Sequence, residues 1–546
     1  MIQNLADTES GDDQSADELD DVDSRISLNE ENAASSSESS ADDSSKSDTD
    51  EYEVTGAPTT TSRTETAKGG DEKAVSRDGT EWRIVATTAP VGRVQAQNVF
   101  TAKPGPTNYT RTVTTALDAF RLLVDEGMIR HIKRCTVEYA HTCDVSWDVT
   151  DDERDAFIGL LYLRGCMNAR NFPLDLLWSE KYGSQAFRQA MPRDRFKKIK
   201  EYIRFDLRST REERIKKDKF CLMSWVLERF VENSQKAYIP YDSLTVDEQL
   251  FPTKARCRFT QYMPNKPDKF GIKFWILAEV QSKYCLSVKP YLGKDEQRVD
   301  SLGTHVVMSL VEPYFGRGYN VTTDNFFTSR DLALKLMEKR TSLVGTLRSN
   351  RKEIPKSQAM ATHESIFYTS GSMNLVKYQA KPSKTVVMLS TLHRGATCQM
   401  DGKKKPESIL YYNENKCGVD MLDAMCRQMS TKAGCRRWPL AVFYNILDLA
   451  GVNSWVIFRK ATGSNISRRE FLRQLSSELT SATTAANTPA AVTASAATGL
   501  LEKRVNCQIK VACSRNRTVT VCDICKRPAC GKCLAKICMA CKDTAK

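Results

Sequence analysis

Apolar side chains recur at helical spacing through much of residues 113–240. The segments LDAFRLLVDEGMIRHI, DDERDAFIGLLYLRGCM and DRFKKIKEYIRF each place apolar residues at positions i, i+3 and i+4, which is the spacing of one face of an α-helix. Asp151 or Asp152 is placed to cap the second segment. The pattern predicts a helical region here, and the same spacing predicts helices over residues 418–460.

From residue 241 the pattern changes to an alternation of apolar and polar positions, which is typical of strands. The alternating segments predict adjacent strands of one sheet at LTVDEQL, GIKFWIL and CLSVK, a strand that ends at Asp324, a helix over roughly 329–339 and a strand at SLVGTLR. A further alternating segment, 364–393, contains a Ser-Gly turn and predicts a small β insertion. Strands and helices therefore alternate in an α/β arrangement.

Two low-complexity tracts flank this body. Residues 1–53 contain 18 Asp and Glu residues and only two basic residues, Arg25 and Lys46, for a net charge of −16. An acidic, Ser-rich tract with almost no aromatic residues buries too little surface to offset chain entropy, so residues 1–105 are predicted to be disordered. The tract TSATTAANTPAAVTASAATG (480–499) is predicted to be a linker.

The chain of 546 residues has a formal charge of +12, 40% hydrophobic residues and 18 Cys. Its length allows roughly three or four domains with real cores, which excludes a wholly disordered protein. No apolar run approaches the roughly 18 residues of a membrane span, and the acidic start is unlike a signal peptide, so no membrane partner is expected. The residues after the tail carry +28, which fits either a nucleic-acid partner or a merely soluble basic protein.

Eight of the 18 Cys lie within residues 507–541, and the last six form three C-x2-C pairs. Two thiolates of such a pair reach one tetrahedral ion, so eight thiolates predict two zinc sites. A disulfide knot and an iron–sulfur site fit less well, because there is no secretory signal and the spacing is not that of a ferredoxin. If the pairs interleave as a cross-brace, Cys507, Cys513, Cys530 and Cys533 share one ion, and Cys522, Cys525, Cys538 and Cys541 share the other.

Three acidic sites stand out in the body. Asp247 lies in a predicted strand, Asp324 lies at a strand end, and Asp420 and Asp423 lie at i and i+3 on one face of a helix start. Hard divalent cations such as Mg2+ bind a few carboxylates together with waters and phosphate oxygens, as in two-metal phosphoryl-transfer sites. Taken singly, each Asp is more often a helix cap or a turn residue, so spacing alone leaves both interpretations open.

The residues around these carboxylates resemble those of piggyBac-type DNA transposases. The matching segments run collinearly from about 113 to 475, and the resemblance returns at the Cys array of 507–541. The segments are LTVDEQL, YMPNKPDKFGIK, VKPYLG, TTDNFFTSRDLALKL, VGTLRSNRKEIP, YYNENKCGVDMLDAM and RRWPLAVFYNILDLAGVNSWVIF. The chain is on this basis identified as a piggyBac-type transposase or a protein derived from one.

The resemblance implies an α/β fold with an RNase H-like catalytic core, flanking helical DNA-binding segments, a β insertion and a C-terminal cross-brace zinc domain. The implied organisation is a disordered acidic tail (1–105), a helical dimerisation and DNA-binding segment (106–240), the first part of the core (241–345), the β-rich insertion (346–415), the last part of the core with a helical DNA-binding segment (416–478), a linker (479–502) and the zinc domain (503–546).

The resemblance also implies roles for particular residues. The metal-binding carboxylates are implied to be Asp247, Asp324 and Asp420, with Asp423 as a fourth acidic catalytic position. Without the resemblance, Tyr262 and Trp438 would be explained as packing residues. The basic residues named below would be explained as charges on a solvated face. The implied DNA-binding residues are Arg256, Tyr262, Lys266, Asn325, Arg348, Arg351 and Trp438.

The function implied by the resemblance is cut-and-paste DNA transposition of the DDE/D type. It implies Mg2+ or Mn2+ at the carboxylates, two Zn2+ at the cysteines, insertion at TTAA targets, recognition of transposon ends by the zinc domain, and a homodimer on DNA. Nuclear localisation follows from a DNA substrate. Two alternatives are a domesticated DNA-binding protein without cleavage activity, and a zinc-dependent protein-interaction module, which leaves the carboxylate-bearing body unexplained.

The acidic tail carries a separate hypothesis. Several of its serines have Asp or Glu three residues on, a pattern that resembles sites of acidophilic kinases, among them Ser10, Ser35, Ser39, Ser40, Ser45 and Ser47. Each phosphate adds about −1.5 to −2 charges and would compete with DNA for the basic body. The alternative is a tail that only keeps the protein in solution.

Overall fold

The structure is a computed structural model that describes eight stretches of the chain and divides it into two units, Met1–Thr484 and Ala485–Lys546. The described residues are 73–85, 99–264, 266, 268–293, 301–399, 402–487, 500–521 and 527–533. Most of the predicted tail and four of the predicted zinc ligands lie outside them: Cys522, Cys525, Cys538 and Cys541.

Helices form both ends of the first unit. They are α1 (Ala116–Arg121), α2 (Glu126–Ala140), α3 (Asp151–Cys166), α4 (Leu174–Trp178), α5 (Gln185–Ala190), α6 (Arg193–Tyr202), α7 (Arg211–Lys217), α8 (Ser224–Ala237), α9 (Leu302–Val311), α10 (Arg330–Glu338), α11 (Glu407–Asn415), α12 (Gly418–Gln428), α13 (Trp438–Thr462) and α14 (Arg468–Asn487).

Strands lie mainly between these helical regions. They are β1 (Lys73–Val75), β2 (Glu81–Val85), β3 (Gly105–Pro106), β4 (Tyr238–Ile239), β5 (Ser243–Pro252), β6 (Thr260–Tyr262), β7 (Phe270–Glu279), β8 (Cys285–Pro290), β9 (Asn320–Thr323), β10 (Ser342–Leu347), β11 (Ser365–Ser370), β12 (Met373–Lys381) and β13 (Lys384–Ser390), with β14 (Leu500–Asn506) and β15 (Arg517–Thr520) in the second unit.

One 11-stranded sheet organises the first unit. Its order is β1-β2-β11-β12-β13-β10-β9-β5-β7-β6, and β8 also pairs with β7. The pairs β5–β9 and β9–β10 are parallel, and the other pairs are antiparallel. The predicted strands of the body are confirmed as members of one sheet, and the predicted β insertion continues that sheet through β13.

The helical regions are confirmed, with two corrections at helix starts. The predicted helix LDAFRLLVDEGMIRHI is broken into α1 and α2, because the Asp125 side chain accepts a hydrogen bond from the Met128 backbone N–H at 2.8 Å and so starts a new helix. The cap of α3 is Thr150, which forms a capping box with Glu153, and neither Asp151 nor Asp152 has this role.

Helix α13 is the core helix of the first unit. Within the described residues it alone is long and apolar enough to cross a membrane, but 94% of its apolar window is buried in the protein. The expectation that no apolar run approaches this length is therefore wrong. Three polar side chains, Asn445, Asp448 and Asn453, interrupt the apolar sequence, and each bonds a protein partner inside the core.

The predicted disorder of residues 1–105 is wrong for residues 73–85, which form β1 and β2 at one edge of the large sheet. Trp82 of β2 is fully buried, and burial of an aromatic side chain supplies the apolar area that the rest of the tail lacks. The predicted linker start at 479 is also wrong, because α14 continues through Asn487. The helix buries Leu475 and Leu479 on one face, so tertiary packing stabilises it where local composition suggested a linker.

The turn after β13 carries a pH-sensitive histidine. The Ser390 hydroxyl lies 2.8 Å from His393 Nδ1, and burial lowers the pKa of His393 to about 4. Since the unfolded chain binds this proton near pH 6.5, stability is full above pH 6.5 and is lost as the pH falls towards 4. We expect a loss of up to about 2 kcal/mol at pH 5.

The measurement is urea unfolding at pH 7 and pH 5 for the wild type and His393→Gln. The variant has no titrating group at this position, so its stability should change less between the two pH values. An identical pH dependence in the two proteins would contradict the prediction.

Candidate active site

Two of the predicted carboxylates lie side by side at the ends of parallel strands. Strands β5 and β9 pair in register up to Val246 opposite Thr323, and Asp247 and Asp324 follow directly on this pair. Asp247 is still within β5, where it lies opposite Ile276 of β7. The fold therefore brings together residues that are 77 positions apart in the sequence.

Both carboxylates are held in a setting that disfavours negative charge. Burial raises the pKa of Asp247 well above its usual value, and the carboxylates of Glu248 and Asp324 add to the shift. Burial and Glu248 also raise the pKa of Asp324, against backbone hydrogen bonds from Phe326 at 2.9 Å and Phe327 at 3.4 Å. Clustered carboxylates out of water have such values because like charges repel in a low dielectric, and a bound cation relieves the repulsion.

Glu248, Lys273 and Tyr412 belong to this site and were not identified in the sequence. Burial lowers the pKa of Lys273, against the opposing effect of the Glu248, Asp247 and Asp324 carboxylates. Burial raises the pKa of Tyr412 to about 12, and both aspartates add to the shift. Two signals for them were present in the sequence: Glu248 directly follows Asp247 in VDEQ, and Lys273 interrupts the apolar strand GIKFWIL.

Aromatic rings fix the position of the Lys273 ammonium group. Its Nζ lies 3.9 Å from the centroid of the Trp275 ring, a cation–π geometry. The Trp275 ring in turn stacks on Phe326 at 5.5 Å, two residues after Asp324. One lysine is therefore held beside the carboxylate pair.

Helix α12 packs on β5 and carries Asp420 and Asp423. The approach is close because Gly418 faces Thr245, whose side chain a Cβ at position 418 would hit. Asp420 is exposed in the first turn of α12. Among the described residues, no three carboxylates converge to within 4.8 Å.

Asp423 has protein partners for both of its carboxylate oxygens. Its Oδ1 accepts a hydrogen bond from Gln249 Nε2 at 2.8 Å, and its Oδ2 pairs with Arg427 Nε at 2.7 Å. The Gln249 Oε1 accepts from Asn445 Nδ2 at 2.8 Å. This buried relay ties β5, α12 and α13 together, so Asp423 is placed to position α12 against the strand of Asp247.

Gln249→Leu removes this relay at nearly constant volume. It leaves the Asp423 carboxylate and the Asn445 amide without their partners in the core, so we expect a loss of about 2–4 kcal/mol in the free energy of unfolding. Urea denaturation followed by circular dichroism measures it. Gln261→Leu is the matched control, because Gln261 donates only to the nearby carbonyls of Phe259 and Thr260 at 3.3 Å. Equal losses in the two variants would contradict the role of the relay.

Three of the predicted DNA-binding residues lie around the turn after Asp324. Arg348 Nε donates to Asn325 Oδ1 at 3.1 Å, and Arg351 Nη2 donates to the Thr328 backbone oxygen at 3.1 Å. Asn325 and Arg348 are exposed and Arg351 is partly exposed. The loop after β10 therefore presents two arginines beside the carboxylate pair.

The other four predicted DNA-binding residues lie around β6 and the start of α13. Tyr262 is 57% exposed on the edge strand β6, and its ring contacts Phe270 at 4.8 Å. The exposed Arg256 forms a backbone bridge with Arg437. Lys266 is partly buried, and its backbone N–H donates to the Met263 carbonyl at 3.1 Å.

Trp438, the first residue of α13, lies next to this region in an aromatic cluster. Its ring packs against Phe220 at 5.4 Å and against Phe259 at 5.0 Å. The side chain is only partly exposed. The contacts account for Trp438 as a packing residue at the helix start, which was the alternative to DNA contact.

In the second unit, four cysteines form a metal-ligand cluster. The Sγ atoms of Cys507, Cys513, Cys530 and Cys533 all lie within 4.8 Å of one another. The structure thus brings together the four cysteines that were predicted to share one ion, including Cys507 and Cys513, which are separated by five residues. All described cysteines are free thiols, so the part of the array that the structure describes is not a disulfide knot.

Hydrogen bonds in this cluster favour the thiolate, the form that binds metal, at Cys507 and Cys530, whereas burial and hydrogen bonds with the other three cysteines raise the pKa of Cys513 to about 12. The Ala512 and Cys530 backbone N–H groups donate to Cys533 Sγ at 3.3 Å and to Cys507 Sγ at 3.4 Å. Burial opposes ionisation of Cys507, but the surrounding backbone N–H groups lower its pKa to about 6. Four thiolates at this separation are the donor set of a tetrahedral zinc site.

The chain belongs to a transposase family. The family model described as "Transposase IS4" matches residues 115–455, which include β5, β9 and α12 with their carboxylates. The relatives and the structural neighbour place it with the piggyBac-type transposases and the proteins derived from them, as the residues had indicated.

Two human proteins illustrate the relationship. PiggyBac transposable element-derived protein 3 of Homo sapiens is 24% identical over 416 residues, covering 71% of this chain and 68% of the relative. PiggyBac transposable element-derived protein 2 of Homo sapiens is 24% identical over 364 residues, covering 62% of this chain and 61% of the relative.

A solved structure matches more of the chain. The cryo-EM structure of a piggyBac transposase synaptic complex with hairpin DNA has a TM-score of 0.69 and 29% sequence identity. The match covers 80% of this chain and 100% of that chain. The α/β architecture described above is therefore that of a piggyBac transposase.

Proposed function

We propose that this protein is a metal-dependent DNA transposase of the DDE/D type, which cleaves DNA strands and transfers them to a target. The observation that carries the proposal is the placement of Asp247 beside Asp324 on parallel strands, in a setting that raises both pKa values. The transposase family and the similarity to a piggyBac synaptic complex support it. We further propose that the central sheet is an RNase H-like core.

The donor set fits a hard divalent cation. Asp247 and Asp324, with Asp420 of α12, supply the carboxylate oxygens that Mg2+ and Mn2+ prefer. When bound, such ions supply Lewis-acid stabilisation of the attacking and leaving oxygens in phosphodiester displacement. The protein fixes the ligand geometry through the paired strands and through the relay that holds α12 on β5.

The remaining residues of the site have roles in holding DNA. Arg348 and Arg351 bind phosphate oxygens in bidentate fashion, and Asn325, the residue after Asp324, accepts a hydrogen bond from Arg348. Lys273 places a positive charge where the scissile phosphate approaches the pair. Arg256, Tyr262 and Lys266 extend this contact surface along the β6 edge.

The proposal has further parts that follow the family. Insertion occurs at TTAA sequences, the cysteine domain recognises transposon ends with two bound Zn2+, and the protein acts as a homodimer on DNA in the nucleus. A separate part rests on the serine pattern of the tail and not on the family: an acidophilic kinase modifies the acidic tail. The four-cysteine cluster supports the first zinc ion. The neighbour that is a complex with hairpin DNA supports a DNA substrate.

The test is a strand-cleavage assay with the purified full-length chain. The substrate is linear DNA that carries the inverted repeats flanking the coding sequence, incubated with and without Mg2+. We expect 3′-hydroxyl ends at the repeat boundaries only when the cation is present. Absence of cleavage with Mg2+ and with Mn2+ would contradict the proposed activity.

A second candidate is a domesticated DNA-binding protein that no longer cuts DNA. It is favoured by the relatives' names, since both human proteins are transposable element-derived. The same assay separates the two, because a domesticated protein binds the repeats and leaves both strands intact. Retention of all four carboxylates, Asp247, Asp324, Asp420 and Asp423, favours the active transposase.

A further inference from the structure

A hairpin formed by β1 and β2 precedes the residues 115–455 that the family model matches. We call residues 73–85 the N-terminal hairpin. Its turn is closed by Asp78, whose Oδ1 accepts from the Thr80 backbone N–H at 3.0 Å, and Gly79 adopts a φ of +83° that side-chain-bearing residues rarely adopt. The hairpin has a defined turn and is part of the folded body.

The hairpin donates hydrogen bonds to four successive carbonyls of the loop after β10. We call residues 348–353 the basic loop. The bonds run from Arg77 Nη2 to Asn350 O (2.6 Å) and Arg351 O (3.2 Å), from the Asp78 backbone N–H to Lys352 O (3.3 Å), and from Trp82 Nε1 to Glu353 O (3.1 Å). Four adjacent carbonyls held in this way fix the path of the loop backbone.

The donors are themselves anchored. Trp82 is fully buried, and the residues that follow it pair with β11 in the large sheet. Ser76 forms an antiparallel bridge with Pro355 just beyond the basic loop. The hairpin is therefore anchored in the sheet while it donates hydrogen bonds to the basic loop.

The basic loop reaches the candidate active site on its other side. Arg348 and Arg351 bond Asn325 and the Thr328 carbonyl, on the turn that starts at Asp324. Contacts therefore run without interruption from the hairpin through the loop to this turn. Preorganised side chains bind a ligand more tightly because less conformational entropy is lost on binding.

We propose that Arg77 and Trp82 are positioning residues, which hold the basic loop so that Arg348 and Arg351 face DNA phosphates beside Asp324. The DNA part rests on the proposed function, whereas the support of the loop does not. The hairpin precedes residues 115–455, which the family model matches, so the family match by itself assigns it no role.

The first test measures hydrogen exchange of the loop in the full-length protein without DNA. Trp82→Phe keeps an apolar ring and removes the indole N–H, and Arg77→Ala removes the guanidinium donors. We expect exchange in peptides spanning 348–356 to rise about threefold in each variant and about tenfold in the double variant. The matched control is Arg83→Ala, an exposed arginine of the same hairpin that makes none of these bonds.

Loop exchange that is unchanged in both variants would overturn the proposal, as would an equal rise in Arg83→Ala. A rise in hydrogen exchange over the whole sheet in Trp82→Phe would show general destabilisation. Exchange of the loop in Arg77→Ala then tests the proposal, because the Arg77 side chain is exposed and its loss leaves the core intact.

The second test measures affinity for a 30-base-pair duplex with a central TTAA by fluorescence anisotropy. We expect Arg77→Ala to weaken binding about threefold and Arg83→Ala to leave it unchanged, although both remove one positive charge. Since Arg77 acts through the loop, its effect should shrink when Arg351→Ala is also present. Equal weakening by Arg77→Ala and Arg83→Ala would show a general charge effect and overturn the proposal. If the wild type does not bind DNA, the proposed function fails. Hydrogen exchange alone then tests whether Arg77 and Trp82 hold the basic loop.

Discussion

Asp324→Asn is expected to lower the rate of DNA strand cleavage by on the order of 10³-fold or more, because it removes one of two adjacent carboxylate ligands of the proposed metal site. The amide keeps the shape of the side chain and its acceptor oxygen, so the backbone hydrogen bonds from Phe326 and Phe327 survive. The lower cleavage rate therefore measures the effect of removing the negative charge of Asp324. Cleavage of the repeat-end substrate in Mg2+ is the measurement.

Asp331→Asn is the matched control. Asp331 lies in the first turn of α10, where it forms an exposed ion pair with Lys335 at 3.3 Å, a kind of contact that contributes little. We expect its cleavage rate to remain within about twofold of the wild type. Cleavage by Asp324→Asn at the wild-type rate would exclude Asp324 from the reaction, and intact DNA affinity in that variant would separate loss of chemistry from loss of binding.

Cys530→Ala is expected to remove one zinc ion per chain and to unfold the segment around the four-cysteine cluster. The second unit has a two-stranded sheet and a small buried cluster of cysteines in its described part, so metal binding supplies much of its folding free energy. Native mass spectrometry gives the zinc count, which should fall from two to one. Limited proteolysis within 500–521 gives the loss of structure.

The control for this change is Cys143→Ala, which removes an exposed free thiol of the first unit. Its zinc count and proteolysis pattern should equal those of the wild type. A zinc count that is unchanged in Cys530→Ala, or a wild type without zinc, would contradict the metal site. Because the first unit has its own core, cleavage chemistry at Asp324 and the fold of the second unit are separate readouts.

The sequence pattern predicted the elements of the body well because their periodicity is local. Strands β5, β7 and β8 and helix α10 lie where alternation or helical spacing indicated them. The N-terminal hairpin was missed although its signal, Asp78-Gly79 between two short strand-like segments, was present. It was included in the tail predicted to be disordered, and its stability depends on contacts of Trp82 with residues more than 250 positions away.

The site was predicted only in part. Asp247 and Asp324 were found because strand ends and family motifs mark them, and the four-cysteine grouping was predicted on the assumption that the cysteine pairs interleave as in a cross-brace. The Gln249 partner of Asp423 was not predictable, since Gln249 lies 174 positions away and its side chain carries no charge. Lys273 was not identified as a site residue, and the structure places it over the Trp275 ring beside the carboxylates.

The sequence by itself determined the transposase family, the carboxylates and cysteines available for metal, and most helices and strands, because residue type and spacing are local properties. Only the tertiary structure decided which of these residues act together. It placed Asp247 beside Asp324, engaged Asp423 with Gln249 and Arg427, and set the basic loop on the N-terminal hairpin. Such pairings depend on sheet order and helix packing, which join residues that are far apart in the chain.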